Sequence, residues 1–199
     1  MAGDGKPHPA LLDPSKATEK APEEFRVKVD TTKGAFTIKV TRSWAPNGVD
    51  RFYNLVKIGY FTDVAFYRVM DGFMAQFGFS GDPAINKAWK NATIKDDPKN
   101  MSNTPGRITF ANRMRPETRT CQLFINTVDN KNLDNMGFVP FGELEGEGMT
   151  IMSKIYSGYG EGIPRGRGPS QGKIESEGNA YLKKDYPNLD YIKTMEIVK

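Results

Sequence analysis

The chain has 199 residues, 38% of them hydrophobic and 11% aromatic. That is length and apolar content enough for one packed domain and too much for a disordered chain. The 28 basic and 24 acidic residues leave a net charge of +4, a bias too weak to argue for nucleic acid as a partner. No apolar run approaches membrane-spanning length, and a single cysteine, Cys121, excludes an intramolecular disulfide and a cysteine-based zinc site. His8 is the only histidine, so neither a metal cluster nor a Ser-His-Asp or Cys-His arrangement is expected.

Residues 1–24 carry four prolines, few large apolar side chains and no periodicity, which predicts a flexible tail ahead of one domain over residues 25–199. The tail lacks the apolar core of a signal peptide, so the chain as given reads as cytoplasmic. A periplasmic or secreted protein whose leader has been removed would look the same.

Phe25 to Val29 alternates strictly, Thr31-Thr32-Lys33-Gly34 is a turn, and Phe36 to Val40 alternates again, the pattern of a β-hairpin. Pro46, the stripe Val49, Phe52, Leu55, Val56 and the stop at Gly59 predict a helix. Two short strands follow, joined near Asp71-Gly72. From Gly78 to Gly106 the signals are those of a loop, anchored by Trp89. Arg107 to Asn112 reads as a strand. Cys121 to Thr127 alternates, with Cys121, Leu123 and Ile125 toward the core and Gln122, Phe124 and Asn126 on the other face. Pro140 marks the short strand Phe138–Gly142 as an edge or a bulge. Met149, Met152, Ile155 and Tyr156 predict a second helix. Gly158 to Tyr191 reads as a long loop with one helical turn near Asn179 to Lys184, and Ile192 to Val198 closes the chain as a strand.

The stretch that calls for chemistry is Phe66 to Gln76. It sets Arg68 among large apolar side chains with the carboxamide of Gln76 eight residues on. A guanidinium in such surroundings must find acceptors, because burying an unpaired charge is expensive. Held over an apolar hollow, it suits a ligand that brings a greasy ring and a carbonyl, which describes a prolyl peptide.

Phe66-x-Arg68-x-x-x-Gly72-Phe73-Met74-x-Gln76, the spacing of Phe110-Ala111-Asn112 to Gln122-Leu123-Phe124, Leu133-Asp134 and Phe141-Gly142 occur in that order. Together they resemble the cyclophilins, a family of peptidyl-prolyl cis–trans isomerases, from about Phe25 to Val198. The resemblance implies a mainly β fold, a closed eight-stranded antiparallel β-barrel capped by two α-helices. It implies catalytic roles for Arg68, for Gln76 as the group that orients it, and for Phe73. Phe73, Met74, Phe124 and Leu133 resemble the proline pocket, and Ala111, Asn112 and Gln122 the groove for the residues before proline. Phe138 stands where many members have a pocket histidine, so the wall is apolar there. Asn132 lies near the position of the tryptophan that helps bind cyclosporin, and the loop Asn132–Phe138 is one residue longer. Weak cyclosporin binding is therefore expected. The implied partners are proline-containing peptides and partly folded proteins, with no cofactor, no nucleic acid and no membrane, and a monomer is expected.

Plainer readings stand beside these. Arg68 could be a structural arginine, the pocket residues could be core, and Gln76 could cap a loop. Cys121 reads as a small buried hydrophobe. The run Gly158 to Gly168 follows a helix and meets neither nucleotide-binding spacing. The main alternative to an enzyme is a binding module that holds prolyl segments as a chaperone or scaffold. A carrier of a small apolar ligand is a third reading, and it would need a deep closed cavity.

Overall fold

The computed structural model describes residues 6–198. Nine strands form one curled antiparallel sheet: β1 (Glu24–Thr31), β2 (Gly34–Thr41), β3 (Val64–Ala65), β4 (Arg68–Met70), β5 (Met74–Phe77), β6 (Arg107–Phe110), β7 (Leu123–Asn126), β8 (Pro140–Glu145) and β9 (Tyr191–Val198). Their spatial order is β3-β9-β1-β2-β8-β6-β7-β5-β4. The two ends of that order, β3 and β4, are consecutive in the chain, with only Phe66 and Tyr67 between them. The fold is mainly β, as expected.

The alternation of β1 and β2 becomes an inward row of Val27, Val29, Ile38 and Val40, all fully buried. The hairpin turns at Thr32-Lys33, where Gly34 adopts φ +127° and Thr31 Oγ1 donates to its carbonyl at 2.6 Å. Strand β8 is not an edge strand, since it pairs with β2 and β6, but the β2 pairing stops at Gly142 and Pro140, its first residue, pairs only with Thr109. Pro140 does mark a bulge. Thr109 faces Pro140 while Ile108 faces Gly142, so the register slips by one residue at Phe141.

Among the described residues four helices accompany the sheet, where two were expected: α1 (Pro46–Lys57), α2 (Pro83–Trp89), α3 (Gly148–Met152) and α4 (Gln171–Asp185). In α1, Pro46 opens the first turn and the stripe Val49, Phe52, Leu55 and Val56 packs on the sheet core. The second expected helix is a single short stretch in which Met152 is buried and Met149 exposed. Helix α2 lies inside the segment read as loop. Asp82 caps it by accepting from Ala84 N at 2.8 Å, with Pro83 at its first position. Helix α4 occupies half of the other long segment. It breaks at Gly178 (φ +60°), where the chain presses against the Gly81 carbonyl, so its apolar positions fall out of phase with a single 3.6-residue period.

Residues 6–23, ahead of β1, are not free. Two 3-10 turns, at Pro9–Leu11 and Pro14–Lys16, bury Ala10. Trp89 Nε1 donates to the Leu11 carbonyl at 3.0 Å, Asn54 exchanges two hydrogen bonds with Glu19, and Ala21 N donates to Asp50 at 2.9 Å. Residues 6–23 were expected to be mobile because they carry few apolar side chains, but their backbone is held by side chains of the body. Residues 1–5 of that expected tail lie outside the described residues.

The excursion between β5 and β6 is fixed by one buried carboxylate. Asp97 accepts from the backbone N–H groups of Asn47 and Gly48 at the start of α1 and pairs with buried Arg119 at 3.0 Å. Cys121 is buried in the core, and burial pushes its thiol up to about 12. No helix among the described residues is long and apolar enough to cross a membrane.

Trp89→Phe keeps an aromatic ring beside Tyr60 and removes the donor to Leu11. It is expected to cost about 0.5–1.5 kcal/mol in urea denaturation. Limited proteolysis should then cut near residues 12–20 while the rest of the chain stays folded.

Candidate active site

The site is built on the hairpin of β4 and β5. Phe73 N donates to Met70 O at 3.0 Å, and Gly72 takes φ +69° in the turn. That turn sets Arg68 directly opposite Gln76, Val69 opposite Ala75 and Met70 opposite Met74. Partners across a ladder share a face, so the eight-residue spacing in the sequence becomes contact in the fold. Gln76 pairs in turn with Phe124 on β7, and Phe124 with Thr109 on β6. Arg68, Gln76 and Phe124 thus form a row on the face away from Leu123 and Ile125, which sit in the main core.

Around this row lies a cleft of about 620 Å³. All ten residues singled out in the sequence line it: Arg68, Phe73, Met74, Gln76, Ala111, Asn112, Gln122, Phe124, Leu133 and Phe138. Its apolar end is a cluster of Met74, Phe124, Leu133 and Phe138, against which Phe73, Met70 and Ala111 pack. Phe124 and Phe138 meet edge to face at 5.7 Å. The plain core reading of these residues is half right, since they are buried, but they form a cluster of their own, separate from the core between sheet and helices.

A buried polar network carries that cluster from beneath. Asn103, fully buried, donates to Asp134 and to the Phe138 carbonyl, both at 2.8 Å, and accepts from Thr109 and Asn126. Asn130 Nδ2 reaches the Phe73 carbonyl at 2.9 Å. Asp134 also accepts a short bond from Ser102 Oγ. Burial alone would raise the Asp134 carboxyl, but the bonds from Ser102 and Asn103 outweigh it and hold the carboxyl below its ordinary value. The turn Lys131–Met136 and the residues on either side of the apolar pocket are therefore tied to one network.

Arg68 is held from two sides. Its Nη1 donates to Gln76 Oε1 at 2.9 Å, while Nε and Nη2 donate to the two carboxylate oxygens of Glu161, each at 2.7 Å. Gln76 continues weakly to Gln122 at 3.5 Å, and Gln122 Oε1 accepts from Tyr67 OH at 2.6 Å. Burial raises the Tyr67 hydroxyl far above the ordinary tyrosine value, so it stays a donor. Glu161, Ile163 and Arg165 also line the cleft, as do Arg113, Met114, Thr118 and Thr120. None of these was singled out beforehand. Glu161 lies 93 residues from Arg68 in a glycine-rich segment, and an acidic residue there has no periodic or motif signal. The one available hint was the demand of Arg68 for acceptors, which Gln76 alone does not meet.

The family model described as cyclophilin type peptidyl-prolyl cis-trans isomerase/CLD matches residues 26–176. The chain belongs to the cyclophilin family. Peptidyl-prolyl cis-trans isomerase B of Escherichia coli is 31% identical to this cyclophilin over 149 residues, covering 71% of this chain and 87% of the relative. Peptidyl-prolyl cis-trans isomerase A of Dickeya dadantii is 32% identical over 135 residues, 65% of this chain and 70% of the relative. A crystal structure of a cyclophilin type isomerase from Cryptosporidium parvum superposes with a TM-score of 0.63 at 19% identity, over 88% of this chain and 98% of that one. A second structure of it, in the presence of the dipeptide Ala-Pro, superposes at 0.61 with 18% identity, over 87% and 99%. These two likenesses show the fold.

Asn103→Ala leaves Asp134, Asn126 and Thr109 each short of a buried partner. A loss on the order of 2–3 kcal/mol is expected in denaturant unfolding. Because the folded pKa of Asp134 is lowered, its stabilisation is present above the ordinary aspartate range and is lost as pH falls through the lowered value. As pH falls below the ordinary aspartate value of about 4, stability should therefore drop less steeply in Asp134→Asn than in the wild type.

Proposed function

We propose that this cleft accelerates rotation about X–Pro bonds in peptides and partly folded proteins, with Arg68 as its electrostatic centre. The observation that carries the reading is a guanidinium fixed beside a preformed apolar pocket in a chain of the cyclophilin family. Rotation about a peptide bond costs ~18–20 kcal/mol because nitrogen shares its lone pair with the carbonyl. For X–Pro the isomers differ by only about 0.5–1 kcal/mol and exchange in tens to hundreds of seconds. No covalent bond need be made. The catalyst must bind the twisted amide better than either planar form.

On twisting, the lone pair localises on nitrogen, and an Arg68 N–H gains an acceptor that the planar amide does not offer. One such bond is worth roughly 1.5–3 kcal/mol, about ten- to a hundredfold in rate. The remainder falls to positioning. Phe73, Met74, Phe124, Leu133 and Phe138 clamp the proline ring, and Ala111, Asn112 and Gln122 hold the preceding residues so that rotation is confined to one bond. Gln76 acts through Arg68, as an orienting group. The Cryptosporidium structure with Ala-Pro supports a prolyl ligand for this fold. The reading takes residues 25–199 as one isomerase unit, acting as a monomer without a cofactor and binding cyclosporin weakly, with Asn132 near the site.

The same reading takes the curled sheet as a closed barrel. The first and last strands of its order are joined by Phe66-Tyr67 alone, and β3 and β4 counted as one interrupted strand reduce nine strands to eight.

Exchange of a short Xaa-Pro peptide followed by NMR tests the function. The wild type should accelerate exchange, and Arg68→Ala should lose about ten- to a hundredfold of that acceleration while still shifting the peptide resonances. Fast exchange in both proteins would remove Arg68 from the mechanism. Slow exchange in both, with the peptide bound, would favour the binding module. Phe124→Ala should raise KM more than it lowers kcat, since it removes pocket area rather than the charged donor.

A further inference from the structure

Of the groups around Arg68, Glu161 is the one the family motif does not contain and the strand ladder does not explain. It stands on the segment between α3 and α4, and its carboxylate is fully engaged. One oxygen accepts from Arg68 Nε and from its neighbour Gly162 N at 2.8 Å, and the other from Arg68 Nη2. We infer that Glu161 is a positioning residue for isomerisation, gripping the Nε–Nη2 edge of Arg68 so that its remaining N–H groups meet the substrate in one orientation. The inference rests on the isomerase reading and adds to it a residue from outside the hairpin.

The donor count supports it. A guanidinium has five N–H groups. Glu161 takes two and Gln76 one, which leaves one on each terminal nitrogen. That of Nη1 has only the Met74 sulfur at 4.0 Å, a weak acceptor. Both remaining donors thus lie at the tip of the side chain.

The segment that carries Glu161 is stiff enough to impose this geometry. Gly168 N donates to Glu161 O at 2.8 Å and Ile163 N to Gly168 O at 3.1 Å. At Gly166, a Cβ would lie 2.2 Å from the Glu161 carbonyl, so the turn closes that tightly only on glycine. Two tyrosines fasten the turn to α4 and the chain after it. Tyr186 OH donates to Gly168 O at 3.1 Å, and Tyr181 OH accepts from Ser170 N at 3.1 Å. Gly162, Gly166 and Gly168 are thereby accounted for as parts of a rigid mount rather than a nucleotide loop.

Two opposing effects decide the sign. A free arginine carries rotamer entropy that, lost only at the transition state, slows a reaction by roughly a factor of 30. Fixing the guanidinium beforehand removes most of that. The carboxylate also opposes the guanidinium's charge, but the twisted nitrogen presents a lone pair and no net charge, and the ion pair is partly open to water. Positioning wins. Hydrogen bonds from Arg68 hold the Glu161 carboxyl below its ordinary value against the effect of burial, with Gly162 N and nearby Arg165 adding to them. The carboxylate is charged at neutral pH.

The test compares wild type and Glu161→Gln, a change of charge at nearly constant shape. For each, kcat and KM are measured on an Xaa-Pro peptide by NMR, together with the Arg68 Nε–Hε resonance, assigned by its loss in Arg68→Lys. The expected result is a kcat about tenfold lower, a KM changed less than twofold, and an Nε–Hε signal that is sharp and slowly exchanging in the wild type and broadened in the variant. Wild-type catalysis with an unchanged or higher kcat in Glu161→Gln would overturn this inference and leave the isomerase reading standing. No catalysis in the wild type would overturn both.

Discussion

The architecture turns on one requirement, that a guanidinium sit beside an apolar hollow without filling it. Each acceptor that satisfies Arg68 must therefore approach from the side. Gln76 does so across the β4–β5 ladder, and Glu161 does so from a distant segment mounted on α4. The polar network around Asn103 solves the same problem one layer down. It satisfies the backbone behind Phe73 and Phe138 without placing a polar atom in the pocket itself. The cleft is apolar on one wall and charged on the other because the two sets of acceptors are kept apart.

What was legible in the sequence was what local pattern controls. Alternation placed β1, β2 and β7, and the Pro46 start with its apolar stripe placed α1. The pocket residues were legible for a different reason. The resemblance to the cyclophilins marked them, and within that motif the turn near Asp71-Gly72 sets Arg68 opposite Gln76. Pro140 signalled a bulge correctly; β8 is an internal strand, and the proline is tolerated at its first residue, beyond the end of the β2 pairing.

What was not legible depends on contacts between distant segments. Helix α2 is short, and its capping pair Asp82-Pro83 is also a turn signal. Helix α4 hides its periodicity behind the break at Gly178. Residues 6–23 have no apolar pattern of their own and are held by hydrogen bonds with Trp89, Asn54 and Asp50. Glu161 belongs to the same class, a side chain whose meaning comes wholly from what the fold brings beside it.

The burial of Cys121 has a practical consequence. A thiol displaced to about 12 stays protonated at physiological pH, and its sulfur is packed away from solvent. The chain's only native thiol is therefore silent toward oxidants and alkylating dyes. Cys121 can stay a free thiol in reducing and oxidising surroundings alike. A cysteine engineered at any exposed position would become a unique attachment point, so fluorophores for distance measurements across the cleft can be installed on the otherwise native chain.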